Sequence, residues 1–195
     1  MDDLERFLTA QRAFTDRVHA VAENQWQLDT PDTEWTVADL LGHLIEEHRY
    51  AAPLLHGQDL ETASQIVEGS RSLPVDGGVG ANLAEEWDEA AVESADAFSS
   101  DGALDRTVEL SRGTTPVRDY VKEMTFDLVV HGWDLATAIG YSGPPFPDEV
   151  VADIYAAARE FGDLSSSGFF APPVDVPDDA PTLDKLIGLT GRRPR

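Results

Sequence analysis

Asp127 and His131 stand four residues apart in the apolar run FDLVVHGWDLA. On a helix that spacing puts both side chains on one face, one turn apart. Tyr120, Met124 and Leu135 share that side, so the pair looks inward. A buried carboxylate without a partner costs on the order of several kcal/mol, so Asp127 needs one. An inward Asp and His one turn apart form a two-ligand edge for a divalent metal. The same two residues could instead hydrogen-bond each other inside a core. A metal needs a third ligand from elsewhere, and His43 in WTVADLLGHL is the best candidate, beside Leu40 at the border of an apolar stripe. Alone, His43 also reads as a satisfied histidine at the core edge. Two imidazoles and one carboxylate would leave coordination positions open for water or substrate, as a catalytic metal requires.

The remaining polar and aromatic candidates are weaker. His48 falls in the middle of its helix stripe but follows Glu46 and Glu47, while His19 and His56 read as surface or loop residues. Trp35 and Trp133 read as packing anchors before substrate stackers. Asp134, near His131, either orients a ligand or faces water. No general base stands out. VDGGVG lacks the Lys and the preceding strand of a phosphate loop, and no G-x-S-x-G elbow occurs. SSSG has no histidine near it in sequence, so nothing supports a Ser-His-Asp triad.

These residues need helices to hold them, and helical periodicity dominates the chain. A first helix is expected from Asp2 to about Asn24, on the stripe Leu4, Phe7, Leu8, Phe14, Val18 and Val21. Thr36 with Asp39 three residues on is an acidic capping box for a second helix, Val37 to about His56, which Pro53 should kink or end early. Residues 57–80 read as a connector, and a helix from Ala81 to Ser99 follows. RTVEL is a small strand or extended link; Thr115-Pro116 opens a helix that runs to Ile139 and stops at Gly140. Pro147 and Gly162 bracket a fifth helix, and the Pro-rich APPVDVPDDAP leads to the short helix TLDKLIGL. The expectation is one all-α domain over 1–195, with a four-helix bundle core at about 1–162 and an extended tail with a short helix over 163–195.

Composition narrows the function classes. The chain has 195 residues, 42% of them hydrophobic, enough for a real core. It has no cysteine, so disulfides, thiolate ligands and a cysteine nucleophile are all excluded. Any thiol chemistry must come from a small molecule. A formal charge of −23, from 37 acids against 14 bases, argues against nucleic acid and anionic membranes as partners. Twelve of the 14 bases are Arg. The acidic N-terminus MDDLERFLTA lacks the pattern of a signal peptide, and a cytoplasmic protein, monomer or homodimer, is expected.

Taken together, WTVADLLGHL, VVHGWDLATAIG and APPVDVPDDAPTLDKLIGLTGRRP resemble an actinobacterial family of the DinB-like superfamily. Its members share the metal-binding N-terminal domain of mycothiol-dependent maleylpyruvate isomerase. The resemblance implies a DinB-like four-helix bundle of up-down-down-up type with a divalent metal near one end, commonly zinc; nickel and manganese stay open as alternatives for this chain. It places the ligands on His43, Asp127 and His131, with Asp127 standing where the isomerase has Glu. The isomerase also carries a separate C-terminal domain, where this chain has only its Pro-rich tail and short helix. The function implied is a metal-dependent enzyme that uses a low-molecular-weight thiol, mycothiol or similar, to conjugate or isomerise an electrophilic small molecule. Two alternatives stay open: a non-catalytic metal- or ligand-binding bundle linked to stress, and a metal-dependent hydrolase.

Overall fold

The computed structural model describes residues 1–32, 34–70, 79–168 and 170–194. Helix α1 (Asp3–Val18) opens with a reciprocal cap: Asp2 accepts the Glu5 N–H at 2.8 Å, and Glu5 accepts the Asp2 N–H at 3.1 Å. It ends at Val18, short of the expected Asn24. The Ala20 and Val21 N–H groups donate to carbonyls three residues back, which tightens the last turn and stops the helix. Helix α2 (Val37–Leu55) carries the expected acidic capping box, with the Asp39 N–H on Thr36 Oγ1 at 3.2 Å and the Thr36 N–H on Asp39 Oδ2 at 3.0 Å. Pro53 lies inside this helix, which still reaches Leu55.

The expected connector is in part a helix. α3 (Leu60–Gly69) starts where Asp59 accepts the Thr62 N–H at 2.8 Å, and it buries only Ala63 and Val67. So thin an apolar stripe is why periodicity missed it. Most of VDGGVG lies outside the described residues. After α4 (Val79–Ser99), strands β1 (Thr107–Leu110) and β2 (Gly113–Pro116) pair antiparallel, from Thr107 opposite Pro116 to Leu110 opposite Gly113. RTVEL is therefore half of a hairpin. Pro116 closes β2 and caps α5 (Val117–Ile139), one residue later than the expected start, and Gly140 ends α5 at φ +66°. α6 (Asp148–Phe161) and α7 (Thr182–Leu189) fall where Pro147, Gly162 and TLDKLIGL put them.

The fold is an all-α four-helix bundle with a small hairpin. α2 packs most broadly on α4, and α1 on α5; α2 also meets α5 and α1 meets α4, which closes the ring. Phe7, Phe14, Leu40, Leu41, Leu44, Trp87, Phe98, Leu128 and Leu135 fill it, all buried. Fully burying side chains of this size stabilises by about 1.5–3 kcal/mol each. His48 is among them: its Nδ1 donates to the Leu44 carbonyl at 2.9 Å, while its ring stacks on Phe7 and meets Trp87 edge-on. α6 and α7 pack on each other outside the ring. Among the described residues, no helix is long and apolar enough to cross a membrane.

Candidate metal centre

α2 supplies His43 and α5 supplies His131, and the bundle brings the two rings together edge to face, with centroids 5.4 Å apart. Trp35 lies against both, 4.8 Å from the His43 ring and 5.6 Å from the His131 ring. The loop before α2 puts it there. An isolated bridge pairs Asp29 with Thr36, and the Thr30 N–H and hydroxyl both donate to the Trp35 carbonyl, at 3.0 and 2.9 Å. Trp35 is thus a wall of the site and not merely a packing anchor; Trp133 is half-buried.

Asp127 sits one turn before His131 on α5, half-buried and in electrostatic contact with it. The two are not hydrogen-bonded to each other. His131 Nδ1 instead pairs with Asp134 Oδ2 at 3.2 Å. A carboxylate accepts, so the proton is on Nδ1, and the Nε2 lone pair is left for a ligand contact. Burial raises the Asp127 carboxyl above the usual range, opposed by His131 and then Arg192, and among the described residues it accepts no hydrogen bond. Burial first, then His131, pushes the His43 imidazole down to about 4, so it is neutral at pH 7. Its ring makes no hydrogen bond among the described residues. Two neutral or neutralisable imidazoles and one under-satisfied carboxylate are a donor set that fits a divalent cation.

A second group of possible ligands lies close by. Asp32, His131 and Asp134 bring ligand atoms within 4.8 Å of one another. Between the two carboxylates, however, sits the guanidinium of Arg192. Its Nη2 is 2.7 Å from Asp32 Oδ2 and 2.8 Å from Asp134 Oδ2, and its Nε is 2.8 Å from Asp134 Oδ1. The cation of that cluster is an arginine of the chain itself. Asp134 therefore orients His131 rather than facing water, and it is wholly buried.

The sequence reading missed Arg192, Asp32 and Glu47. Glu47 carried a readable signal, because it follows His43 by the same four residues that join Asp127 to His131. Burial first, then Asp127, Glu46 and Glu123, push its carboxyl up to about 7. His19 and His56 are exposed, as expected.

Residues 7–136 match the family described as the mycothiol maleylpyruvate isomerase N-terminal domain. Two Mycobacterium tuberculosis proteins described as uncharacterized, MT0763 of strain CDC 1551 / Oshkosh and Rv0738 of strain H37Rv, are each 30% identical to the chain over 198 residues, covering 100% of both sequences. Among solved structures, mycothiol-dependent maleylpyruvate isomerase superposes with a TM-score of 0.60 at 15% identity, over 81% of this chain and 70% of that one. A histidine-to-alanine mutant of the same enzyme gives 0.61 at 15% identity, over 87% and 73%. The likeness in structure is one of fold, and the bundle is DinB-like. By its sequence, the chain belongs to the family of the mycothiol maleylpyruvate isomerase N-terminal domain.

Proposed function

We propose that His43, Asp127 and His131 hold a divalent metal, zinc before nickel or manganese, and that the chain uses it with a low-molecular-weight thiol of the mycothiol kind. The thiol would add to an electrophilic small molecule, to conjugate it or to isomerise a double bond. One observation carries the reading: imidazoles from two separate helices meet edge-on beneath Trp35, with the proton of one assigned to Nδ1. Family membership supports the thiol, and the absence of cysteine means that no protein thiol competes with it.

A divalent cation held there would lower a thiol's pKa from about 8.5, making thiolate available at neutral pH. The chain's residues do the rest. Asp134 holds the His131 proton away from the ligand side, and Trp35 shields the imidazoles from water on one face. We assign the proton that the thiol loses to Glu47, one turn after His43 on α2, whose carboxyl burial and then Asp127 push up to about 7.

The test is metal content by plasma mass spectrometry on untagged protein. About one metal per chain is expected in wild type, lost in His43→Ala and His131→Ala. Cobalt-loaded wild type should then gain a sulfur-to-cobalt charge-transfer absorption when a cysteine-derived thiol is added. A wild type that takes up no zinc, nickel or manganese, or a His131→Ala variant that keeps its metal, would overturn the metal assignment. A metal site without the absorption band would overturn the thiol.

A further inference from the structure

Arg192 is only 9% exposed, and its guanidinium is held between Asp134 of α5 and Asp32 of the loop before α2. The tail brings it there by a defined route. Phe170 packs edge-on against Phe126 of α5 at 5.7 Å, the Val174 N–H donates to the Gly188 carbonyl at 3.0 Å, and Gly191 turns the chain at φ +79°. A Cβ at Gly191 would fall 2.8 Å from the Ala171 carbonyl oxygen, so only glycine fits that turn.

Arg192 then makes an unusually complete set of contacts. Nε donates to Asp134 Oδ1 at 2.8 Å and Oδ2 at 3.0 Å, and Nη2 to Asp134 Oδ2 at 2.8 Å and Asp32 Oδ2 at 2.7 Å. Nη1 faces the Thr190 carbonyl at 3.5 Å. A planar fork of this kind fixes the rotation of a carboxylate as well as its charge. Asp134 has no exposure of its own, so no water competes for it. The oxygen Oδ2 that takes two of the guanidinium contacts also accepts from His131 Nδ1. An ion pair that served only to staple the tail would have no need to end on that imidazole.

We propose that Arg192 is a positioning residue for His131: by locking the Asp134 carboxylate, it keeps the imidazole in its Nδ1–H tautomer with Nε2 directed to the ligand side. The proposal rests on the reading of His131 as a metal ligand, but its first consequence is visible without metal. Losing the fork frees Asp134 to rotate and leaves the ring free to adopt either tautomer. The tail is thereby part of the site, although Arg192 lies 56 residues beyond the end of the family match at 136.

The experiment compares wild type, Arg192→Lys and Arg192→Met, each labelled with 15N-histidine and metal-free, by long-range 1H–15N correlation. The His131 ring is assigned by its loss in His131→Ala. Wild type should show Nδ1–H alone, Arg192→Met a mixture with Nε2–H, and Arg192→Lys an intermediate state, because lysine restores the charge without the fork. Zinc affinity by chelator competition should fall about 10–100-fold in Arg192→Met and less in Arg192→Lys. If Arg192→Met does not fold, as circular dichroism will show, Arg192→Lys decides the question alone. A pure Nδ1–H tautomer in the folded variants, with zinc affinity within twofold of wild type, would overturn the proposal. Failure of the metal reading looks different: His43→Ala would bind zinc as well as wild type, while the tautomers would still report on Arg192.

Discussion

Two glycines flank the two histidines, Gly42 before His43 and Gly132 after His131, and replacing each with alanine should have opposite effects. In a helix interior, alanine is worth about 0.5–1 kcal/mol over glycine. At Gly42 a Cβ meets nothing within 4 Å, so Gly42→Ala should gain that amount. At Gly132 the Cβ would lie 2.8 Å from Phe146 Cε2, closer still to Phe146 Cζ, and 3.2 Å from Phe14 Cδ2. Neither ring has room to retreat. Phe146 is buried beneath the Arg17 guanidinium, 4.0 Å from its centroid, and Phe14 packs on Trp87 at 4.7 Å. Overpacking of this kind costs about 1–3 kcal/mol, more than the propensity gain. Gly132→Ala should therefore lose roughly 1–2 kcal/mol, a fall in Tm of about 2–8 °C for a domain of this size. Urea and thermal unfolding of both metal-free variants, followed by circular dichroism, would measure the pair. If Gly132→Ala is stabilised as Gly42→Ala is, then α5 does not approach Phe146 as closely as described and the argument fails.

Two further predictions concern charge. Burial holds the His48 imidazole down at about 3, while in the unfolded chain it titrates near 6.5. Below pH 6.5 the unfolded state takes up the proton and the folded state does not. The stability from neutral His48, full above 6.5, is thus lost as pH falls toward 3, with a slope of up to about 1.4 kcal/mol per pH unit. His48→Phe should flatten this acid limb in urea titrations at successive pH values; an unchanged limb would mean that His48 charges freely in the fold. Raised carboxyls such as Glu47 act in the opposite sense, losing stability from about 4.5 up through 7, so the difference between wild type and variant isolates His48. Asp127→Asn should change sign with metal. Removing a desolvated carboxylate leaves the metal-free protein as stable or slightly more so, whereas the rise in Tm on adding zinc should shrink. An equal zinc-induced rise in both proteins would remove Asp127 from the ligand set.

The helices that carry the site were legible because their signals are local. Thr36 and Asp39 mark the start of α2, Gly140 the end of α5, and a four-residue spacing alone aligns Asp127 with His131. The meeting of His43 with His131 followed from burying two apolar stripes against each other. α3 escaped because two buried residues make too narrow a stripe to register. The hydrogen-bond partner of His131 stayed open between two acids on the same helix, since spacing fits both Asp127 and Asp134 and only the carboxylate held by Arg192 accepts from Nδ1. That arginine could not be read from the sequence at all. Its contact joins positions 58 residues apart, and it ends an irregular tail that has no period to extrapolate.

Trp35, packed against both imidazoles, also makes the site its own optical reporter. An open-shell ion such as cobalt, nickel or copper held between His43 and His131 would lie well inside contact-quenching range of that indole. Trp87, buried against Phe14 and His48, would be shielded by packed side chains. Occupancy could then be followed as a partial loss of tryptophan emission, skewed toward the more solvated fluorophore, with no dye and no substrate. Substituting Trp35 with phenylalanine would remove its share of the signal while keeping an aromatic ring over the histidines.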